Sequence, residues 1–225
     1  MYKYETHSHT SPVSRCAGAS VEDTVKFYKE MNYDGIFITN HFLGGNINID
    51  SSRPYEEKIE YYFSDYEKAL ELSKEIGIKV FCALEMPHDG SDFLIYGLDK
   101  KWFLKHPEIM DIEKDKKLNY LRENGAFIVH AHPFRNAVQY DDVKLFQNNV
   151  DGVEIINASM DDYKNDFAKI YAEKNNLIMS AGSDNHFAEH KKDLAGVSFD
   201  KPILDEQDFI NQLKAGKAKI FTISR

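Results

Sequence analysis

Tyr4-Glu5-Thr6-His7-Ser8-His9-Thr10 opens the chain with two imidazoles at i and i+2 on an extended segment. Side chains so spaced on a strand project from one face, and a pair of imidazoles there can close on a single metal ion. Alone, His-x-His is a weak signal. It gains weight from four later segments in which an apolar run ends in His, Glu or Asp: Ile36-Phe37-Ile38-Thr39-Asn40-His41, Val80-Phe81-Cys82-Ala83-Leu84-Glu85, Phe127-Ile128-Val129-His130-Ala131-His132-Pro133 and Ile178-Met179-Ser180-Ala181-Gly182-Ser183-Asp184-Asn185-His186.

Helical patterns separate these runs. Ser20 and Asp23 form an approximate capping box for a helix whose apolar side is Val21, Val25, Phe27, Tyr28 and Met31. Tyr55 to Ile76 reads as a long amphipathic helix stopped by Gly77, after a Gly, Asn and Ser-rich loop at 43–54. A charged helix at about 108–124 and helices at 141–148, 161–175 and 205–215 follow, with strands at 93–96, 152–156, 177–180, 195–199 and 218–223; residues 102–107 read as irregular.

Strands alternating with helices predict a parallel sheet. Metal-type residues end at least five of the strands, and a barrel brings all those ends to one face, whereas an open sheet spreads them along an edge. The prediction is an α/β fold, a distorted (βα)7 TIM-like barrel forming one domain over residues 1–225, because no eighth unit can be counted.

Bulk composition narrows the function. The hydrophobic fraction of 42% and charged fraction of 29% are those of a globular protein. A net charge of -9 disfavours long nucleic acid, which is bound through clustered Lys and Arg. Two cysteines imply no disulfide framework, and neither a signal peptide nor a membrane span is expected, so the protein reads as cytoplasmic; the sequence does not speak to its oligomeric state.

His7, His9, His41, Glu85, His132, Asp184 and His186 are too many candidate ligands for one ion. They suit two, or three, divalent Zn, Mn or Fe ions, with Glu85 as the bridging carboxylate. Two such ions with only Glu85 and Asp184 as anionic ligands keep a net charge of about +2, which attracts a phosphate dianion and favours phosphate-ester hydrolysis. Arginine usage agrees: lysines outnumber arginines 23 to 5, yet Arg15, Arg53 and Arg135 lie in loops that follow a metal-type histidine. The planar guanidinium suits phosphate oxygens, so these three are candidate substrate clamps, Arg135 the best placed.

The set His7-x-His9-Thr10, Thr39-x-His41, Glu85, His132-Pro133-x-Arg135 and Gly182-Ser183-Asp184-x-His186 resembles the PHP (polymerase and histidinol phosphatase) domain family, over residues 7–186. The resemblance implies a distorted (βα)7 barrel with a two- or three-metal centre and phosphoesterase activity on a small phosphorylated substrate, by attack of metal-bound hydroxide on phosphorus. It also has departures. Family members usually carry a His or Asp ligand shortly after the first pair, where this chain has Ser14-Arg15-Cys16, and often a His where this chain has Asp92; Cys16 and Asp92 are therefore further candidate ligands.

His130 reads equally as a ligand, as the partner of a ligand or as a core histidine, and stands beside Arg135 as a candidate catalytic residue. His88, His106 and His190 fall in loops and read as surface residues, and Cys82 as core. Two other functions fit parts of the pattern. An amidohydrolase-type metallohydrolase also begins with His-x-His, but no lysine ends a middle strand here to serve as its bridge. A non-catalytic, metal-stabilised binding module would hold the same ligands in a closed site.

Overall fold

The computed structural model describes residues 1–135, 143–188 and 193–224. β1 (Tyr2–Ser8) leads through a loop to α1 (Val21–Glu30), where Ser20 Oγ accepts from the backbone N–H of Asp23 at 3.1 Å, the cap expected from the sequence. β2 (Gly35–Ile38) is followed by the 43–54 loop and α2 (Tyr55–Ile76), which ends at Gly77 with φ 74, a left-handed stop that favours glycine. β3 (Lys79–His88) and β4 (Ser91–Tyr96) come next, then α3 (Lys100–Lys105), a 3-10 turn (Pro107–Met110) and α4 (Lys114–Glu123). β5 (Phe127–Ala131), β6 (Gly152–Asn157), α5 (Asp162–Asn175), β7 (Ile178–Gly182), β8 (Asp193–Phe199), α6 (Glu206–Lys214) and β9 (Lys219–Ser224) complete the described elements.

The strands lie in one sheet in the order β7-β6-β5-β4-β3-β2-β1-β8-β9. The end of β7 returns to β1: Thr6 Oγ1 donates to Ala181 O at 2.6 Å and the His9 N–H donates to Asn185 O at 2.9 Å. β1 to β7 therefore form a nearly closed barrel. The first residues of β1 pair instead with β8, Tyr4 opposite Val197, so one strand serves both the ring and its antiparallel extension.

The sheet is mixed rather than parallel. Only Asp89 and Gly90 join β3 to β4, both with positive φ (49 and 84), and a two-residue turn of that kind makes a hairpin, so β4 runs antiparallel to β3 and to β5. Asp92 consequently reaches the mouth of the barrel from the start of its strand. The pairs β1–β2, β2–β3, β5–β6 and β6–β7 are parallel, as the alternation predicts.

Other local expectations change for identifiable reasons. Of residues 102–107, read as irregular, 102–105 belong to α3, which forms because Asp99 Oδ1 caps the Trp102 N–H at 2.8 Å. The helix expected at 108–124 divides into the 3-10 turn and α4. Residues 141 and 142 of the helix expected at 141–148 lie outside the described residues, as does His190. Its remainder is not helical: the Phe146 N–H donates to Tyr171 Oη at 3.1 Å, and Asn149 turns back onto Phe146 O at 2.8 Å. His88 is not a surface residue; it ends β3 only 8% exposed, its ring against Phe93 and Phe146.

Aromatic side chains fill the barrel below its mouth. Tyr4, Phe37, Phe81, Tyr96 and Phe127 pack with Phe209, Ile210 and Leu213 of α6, which plugs the bottom. Phe209 stands 4.5 Å from the Phe37 ring and 5.2 Å from that of Tyr96. Each such fully buried side chain contributes about 1.5–3 kcal/mol, enough to make this floor a rigid base for polar groups above it. Among the described residues no helix is long and apolar enough to cross a membrane.

Candidate metal centre

Seven side chains converge at the mouth of the barrel. β1 supplies His7, His9 follows it, and a register shift in the β1–β2 pairing between Glu5 and Ser8 re-aims this end of the strand. His41 follows β2, Glu85 lies on β3, His132 follows β5, and Asp184 and His186 follow β7. His7, His9 and Glu85 are fully buried, and Asp184 is 3% exposed. His132 and Asp184 have φ 27 and 51, left-handed conformations that cost non-glycine residues about 1–3 kcal/mol and collect at functional sites.

The spacing of the donor atoms tests whether a metal fits. His7 Nε2 stands 3.3 Å from Glu85 Oε1 and 3.5 Å from Asp184 Oδ1; His9 Nε2 stands 3.4 Å from Glu85 Oε2 and 3.3 Å from Asp184 Oδ1. These are poor hydrogen-bond distances. Tetrahedral ligands held about 2.0–2.2 Å from a common ion lie roughly 3.3–3.6 Å from one another. His7 Nε2, His9 Nε2 and Asp184 Oδ1 are moreover buried without a hydrogen-bond partner, an arrangement that a folded protein avoids unless something else binds there.

Three groups of ligand atoms lie close enough to hold an ion: His7 with Glu85 and His132, His7 with His9 and Asp184, and His9 with His41 and His186. Glu85 stands between them. Its Oε1 is 3.0 Å from His132 Nε2 and its Oε2 is 2.7 Å from His41 Nδ1.

Hydrogen bonds on the far sides of the rings fix which nitrogen faces the centre. Glu154 Oε1 accepts from His7 Nδ1 at 3.0 Å. Ser14 Oγ donates to Asn40 Oδ1 at 2.9 Å, and so accepts from His9 Nδ1 at 3.2 Å and from the His41 N–H at 3.0 Å. His186 Nδ1 donates to the Asp184 carbonyl at 3.1 Å. In His7, His9 and His186 the protonated nitrogen is thus turned away and the Nε2 lone pair faces inward, the tautomer a metal ligand needs.

The charges balance in the same sense. Burial pushes the Glu85 carboxyl up, but the His7 charge and hydrogen bonds with His132 and His41 hold it well below the carboxylate range; Asp184 is held down against burial by His7, His9 and His132. Burial opposes a proton on His7, yet Glu154, Asp184 and Glu85 raise its pKa well above the usual value. The same three carboxylates would hold a cation. Burial brings His9 down to about 3, which leaves it neutral. Cys16, opposed by burial, is brought down to about 6 by its contacts with His186 and His41.

Arg135 stands at the edge of the centre. Its Nη2 donates to Asp184 Oδ2 at 2.8 Å, its Nη1 lies 3.6 Å from Asp92 Oδ2, and Lys164 Nζ donates to its carbonyl at 3.0 Å. Burial opposes its charge, but Asp184, Glu85 and Asp92 hold it protonated. Arg135, His132 and Asp92 line a cavity of about 510 Å³ together with Lys114 and Lys144.

Some expected residues are not brought to the centre. Asp92 belongs to none of the three ligand groups and faces Arg135 instead. Arg53 pairs with Glu57 at 3.3 Å on the exposed surface of α2, and Arg15 is exposed after β1 and does not line the cavity among the described residues. His130 is the clear correction. Period two predicts that it shares a face with His132, but β5 ends at Ala131 and the positive φ of His132 turns that ring away. His130 packs on Phe93 with centroids 4.8 Å apart and against Phe146 and Tyr171, and burial pushes its pKa down to about 3.

Two carboxylates escaped the sequence reading. Glu154, inside the apolar run Gly152-Val153-Glu154-Ile155, accepts from His7, from the His132 N–H at 3.0 Å and from Asn157 Nδ2 at 2.9 Å. Asp65 lies on the buried side of α2 with Tyr62 and Ala69, and its Oδ2 accepts from Thr10 Oγ1 at 2.8 Å and from the Val13 N–H and Asn40 Nδ2, both at 3.2 Å. A carboxylate on an otherwise apolar strand or helix face was the available signal, because its burial requires partners.

No protein-family model matches the sequence, and no curated protein matches it. Solved structures do. A two-domain protein from Bacteroides vulgatus containing a predicted PHP-like metal-dependent phosphoesterase superposes with a TM-score of 0.69 at 15% identity, over 98% of this chain and 64% of that one. This chain therefore spans less than two thirds of that protein. A protein from Bifidobacterium adolescentis named as a metal-dependent phosphoesterase gives a TM-score of 0.59 at 11% identity, over 94% and 95% of the two chains. An amidohydrolase from Chromobacterium violaceum, solved with sulfate and no metal, gives 0.58 at 13% identity, over 96% and 97%. At these identities the likeness is one of fold: the chain has the barrel shared by proteins named as PHP-like phosphoesterases and amidohydrolases.

Proposed function

We propose that the protein is a metal-dependent phosphoesterase acting on a small phosphomonoester, with His7, His9, His41, Glu85, His132, Asp184 and His186 holding two or three divalent ions. The observation that carries this reading is the spacing of about 3.3–3.5 Å between the inward nitrogens of His7 and His9 and the carboxylates of Glu85 and Asp184. Divalent ions there would act as Lewis acids toward phosphoryl oxygens and lower the pKa of coordinated water.

The chain's own residues do the rest. Glu154 and Ser14 orient His7 and His9 through their Nδ1 atoms. Arg135, held protonated and positioned by Asp184, presents N–H groups to an anion seated beside His132 in the cavity. At about 510 Å³ the cavity is in the range of small-molecule sites, and with a net charge of -9 the chain suits a compact phosphate ester better than a phosphate backbone. We place the enzyme in the cytoplasm, consistent with both cysteines being free.

The amidohydrolase fold likeness supports a second reading. Against it, the place between the ligand groups is taken by Glu85. Incubating the protein with a panel of small phosphomonoesters and a panel of cyclic and N-acyl amides, each with Mn²⁺, Zn²⁺ or Fe²⁺, separates the two. Phosphate release confined to the first panel supports the proposal, and turnover confined to the second replaces it.

A further inference from the structure

We propose that Lys114 and Lys144, at the β3–β4 hairpin, form a second anion subsite in the cavity beside the metal centre, and that the substrate is a phosphomonoester whose leaving group bears a carboxylate. This inference rests on the phosphoesterase reading above and names the substrate class of the same site. One cavity of about 510 Å³ is lined by cationic side chains that are anchored on different carboxylates. Arg135 is held by Asp184 and Asp92, and lines the cavity with His132. Lys144 Nζ donates instead to Asp89 Oδ1 at 3.0 Å, and Lys114 Nζ lies 3.9 Å from the same oxygen.

The hairpin sets the two groups apart. Asp92 pairs with Pro87 and Ser91 with His88, so Asp89 lies in the turn, beyond the last rung of the ladder. At about 3.3 Å per residue, it stands roughly 7 Å farther toward the tip than Asp92. A Cβ added at Gly90 would meet nothing within 4 Å, so the space at the tip is open. A phosphate seated at Arg135 and His132 therefore leaves the two lysines to meet the far end of a short leaving group. Charge selects the kind of group. Lys114 and Lys144 share one aspartate, a surplus of one positive charge in a chain whose net charge is -9. One carboxylate neutralises that surplus, whereas a phosphate dianion overshoots it. Lys114 is too far from Asp89 for a hydrogen bond and its side chain is 78% exposed, so its ammonium can turn to a bound carboxylate without breaking one. Hydrolysis of such an ester adds one water across the P–O bond and releases inorganic phosphate and a hydroxy acid.

Phosphate release from matched esters that differ in the carboxylate tests this, with Mn²⁺, Zn²⁺ or Fe²⁺ supplied: 3-phosphoglycerate against glycerol 3-phosphate, and 6-phosphogluconate against sorbitol 6-phosphate. In at least one pair kcat/KM should favour the acid by about tenfold or more, the scale of hydrogen bonds to a charged group. The preference should shrink as salt rises, because the lysines are exposed, and should be lost when Lys114→Gln and Lys144→Gln are combined. Equal kcat/KM within both pairs, or a preference that survives the double substitution, would overturn the subsite and leave the phosphatase standing. A preference for fructose 1,6-bisphosphate over fructose 6-phosphate, with none for the acids, would overturn the carboxylate in favour of a second phosphate. No phosphate release from any ester would remove the phosphatase reading and this inference together.

Discussion

Glu154 Oε1 lies 3.0 Å from Nδ1 of His7, and its other oxygen accepts from the His132 backbone, so one buried carboxylate sets the orientation of two histidines of the centre. A glutamine has one acceptor oxygen and cannot serve both sides. Glu154→Gln should therefore weaken metal binding by about 10–100-fold, the usual cost of losing such a partner, with the fold retained. Calorimetric titration of metal into the variant measures it, and an unchanged affinity would show that His7 does not depend on Glu154.

Arg135 tests the anion site separately from the metal site. Arg135→Ala removes the guanidinium facing the cavity but none of the proposed ligands. Phosphatase kcat/KM should fall by about 10²–10³-fold at unchanged metal content, and Arg135→Lys should recover only part of the loss. Steady-state kinetics with metal analysis on the same samples decides; loss of metal in Arg135→Ala would mean that the residue supports Asp184 rather than substrate.

Asp65 ties α2 to the loop after His9 and carries a pH signature. Asp65→Ala leaves the Thr10, Val13 and Asn40 donors without their acceptor, at a cost of about 1–3 kcal/mol for a buried group. Burial raises the Asp65 pKa despite those hydrogen bonds. A raised folded pKa means that the folded chain takes up this proton first as pH falls. The stability gap between wild type and Asp65→Ala should thus widen as pH drops through the raised pKa and level off below the unfolded value. Denaturant unfolding of both proteins across that range measures it, and a gap that narrows would contradict the assignment.

His130 makes the opposite prediction. Packed among Phe93, Phe146 and Tyr171 and facing away from the centre, it should accept His130→Phe with kcat/KM changed by no more than about twofold and stability within about 1.5 kcal/mol of wild type. Activity assays and thermal unfolding check this. A fall in turnover of the order expected for a general acid or base, about 10²–10⁴-fold, would return His130 to the catalytic machinery.

The convergence of these side chains was legible because His41, Glu85, His132, Asp184 and His186 stand where an apolar run stops, a place where hydrophobic periodicity and residue chemistry contradict each other. Glu85 and Asp184 illustrate it: nothing in their strands calls for a charge, so their burial needed a partner. What the sequence hid was direction. The Asp89-Gly90 turn reverses β4, which brings Asp92 to the barrel mouth from the other end of its strand, and the φ of His132 breaks the period-two rule that would have paired it with His130. Glu154 and Asp65 each interrupt an apolar face, but the sequence does not name their partners, His7 and the His132 N–H for one and Thr10, Val13 and Asn40 for the other, which come from distant segments.

Metal ions held at the mouth of this barrel are proposed to carry out phosphate-ester hydrolysis. Metal content per chain, measured on protein purified without chelator and read together with phosphate release before and after metal removal, tests it most directly. Two or more divalent ions per chain are expected, with phosphate release that is lost on chelation and restored on adding them back. Folded protein that binds no divalent ion, or that releases phosphate equally well after complete metal removal, would contradict it.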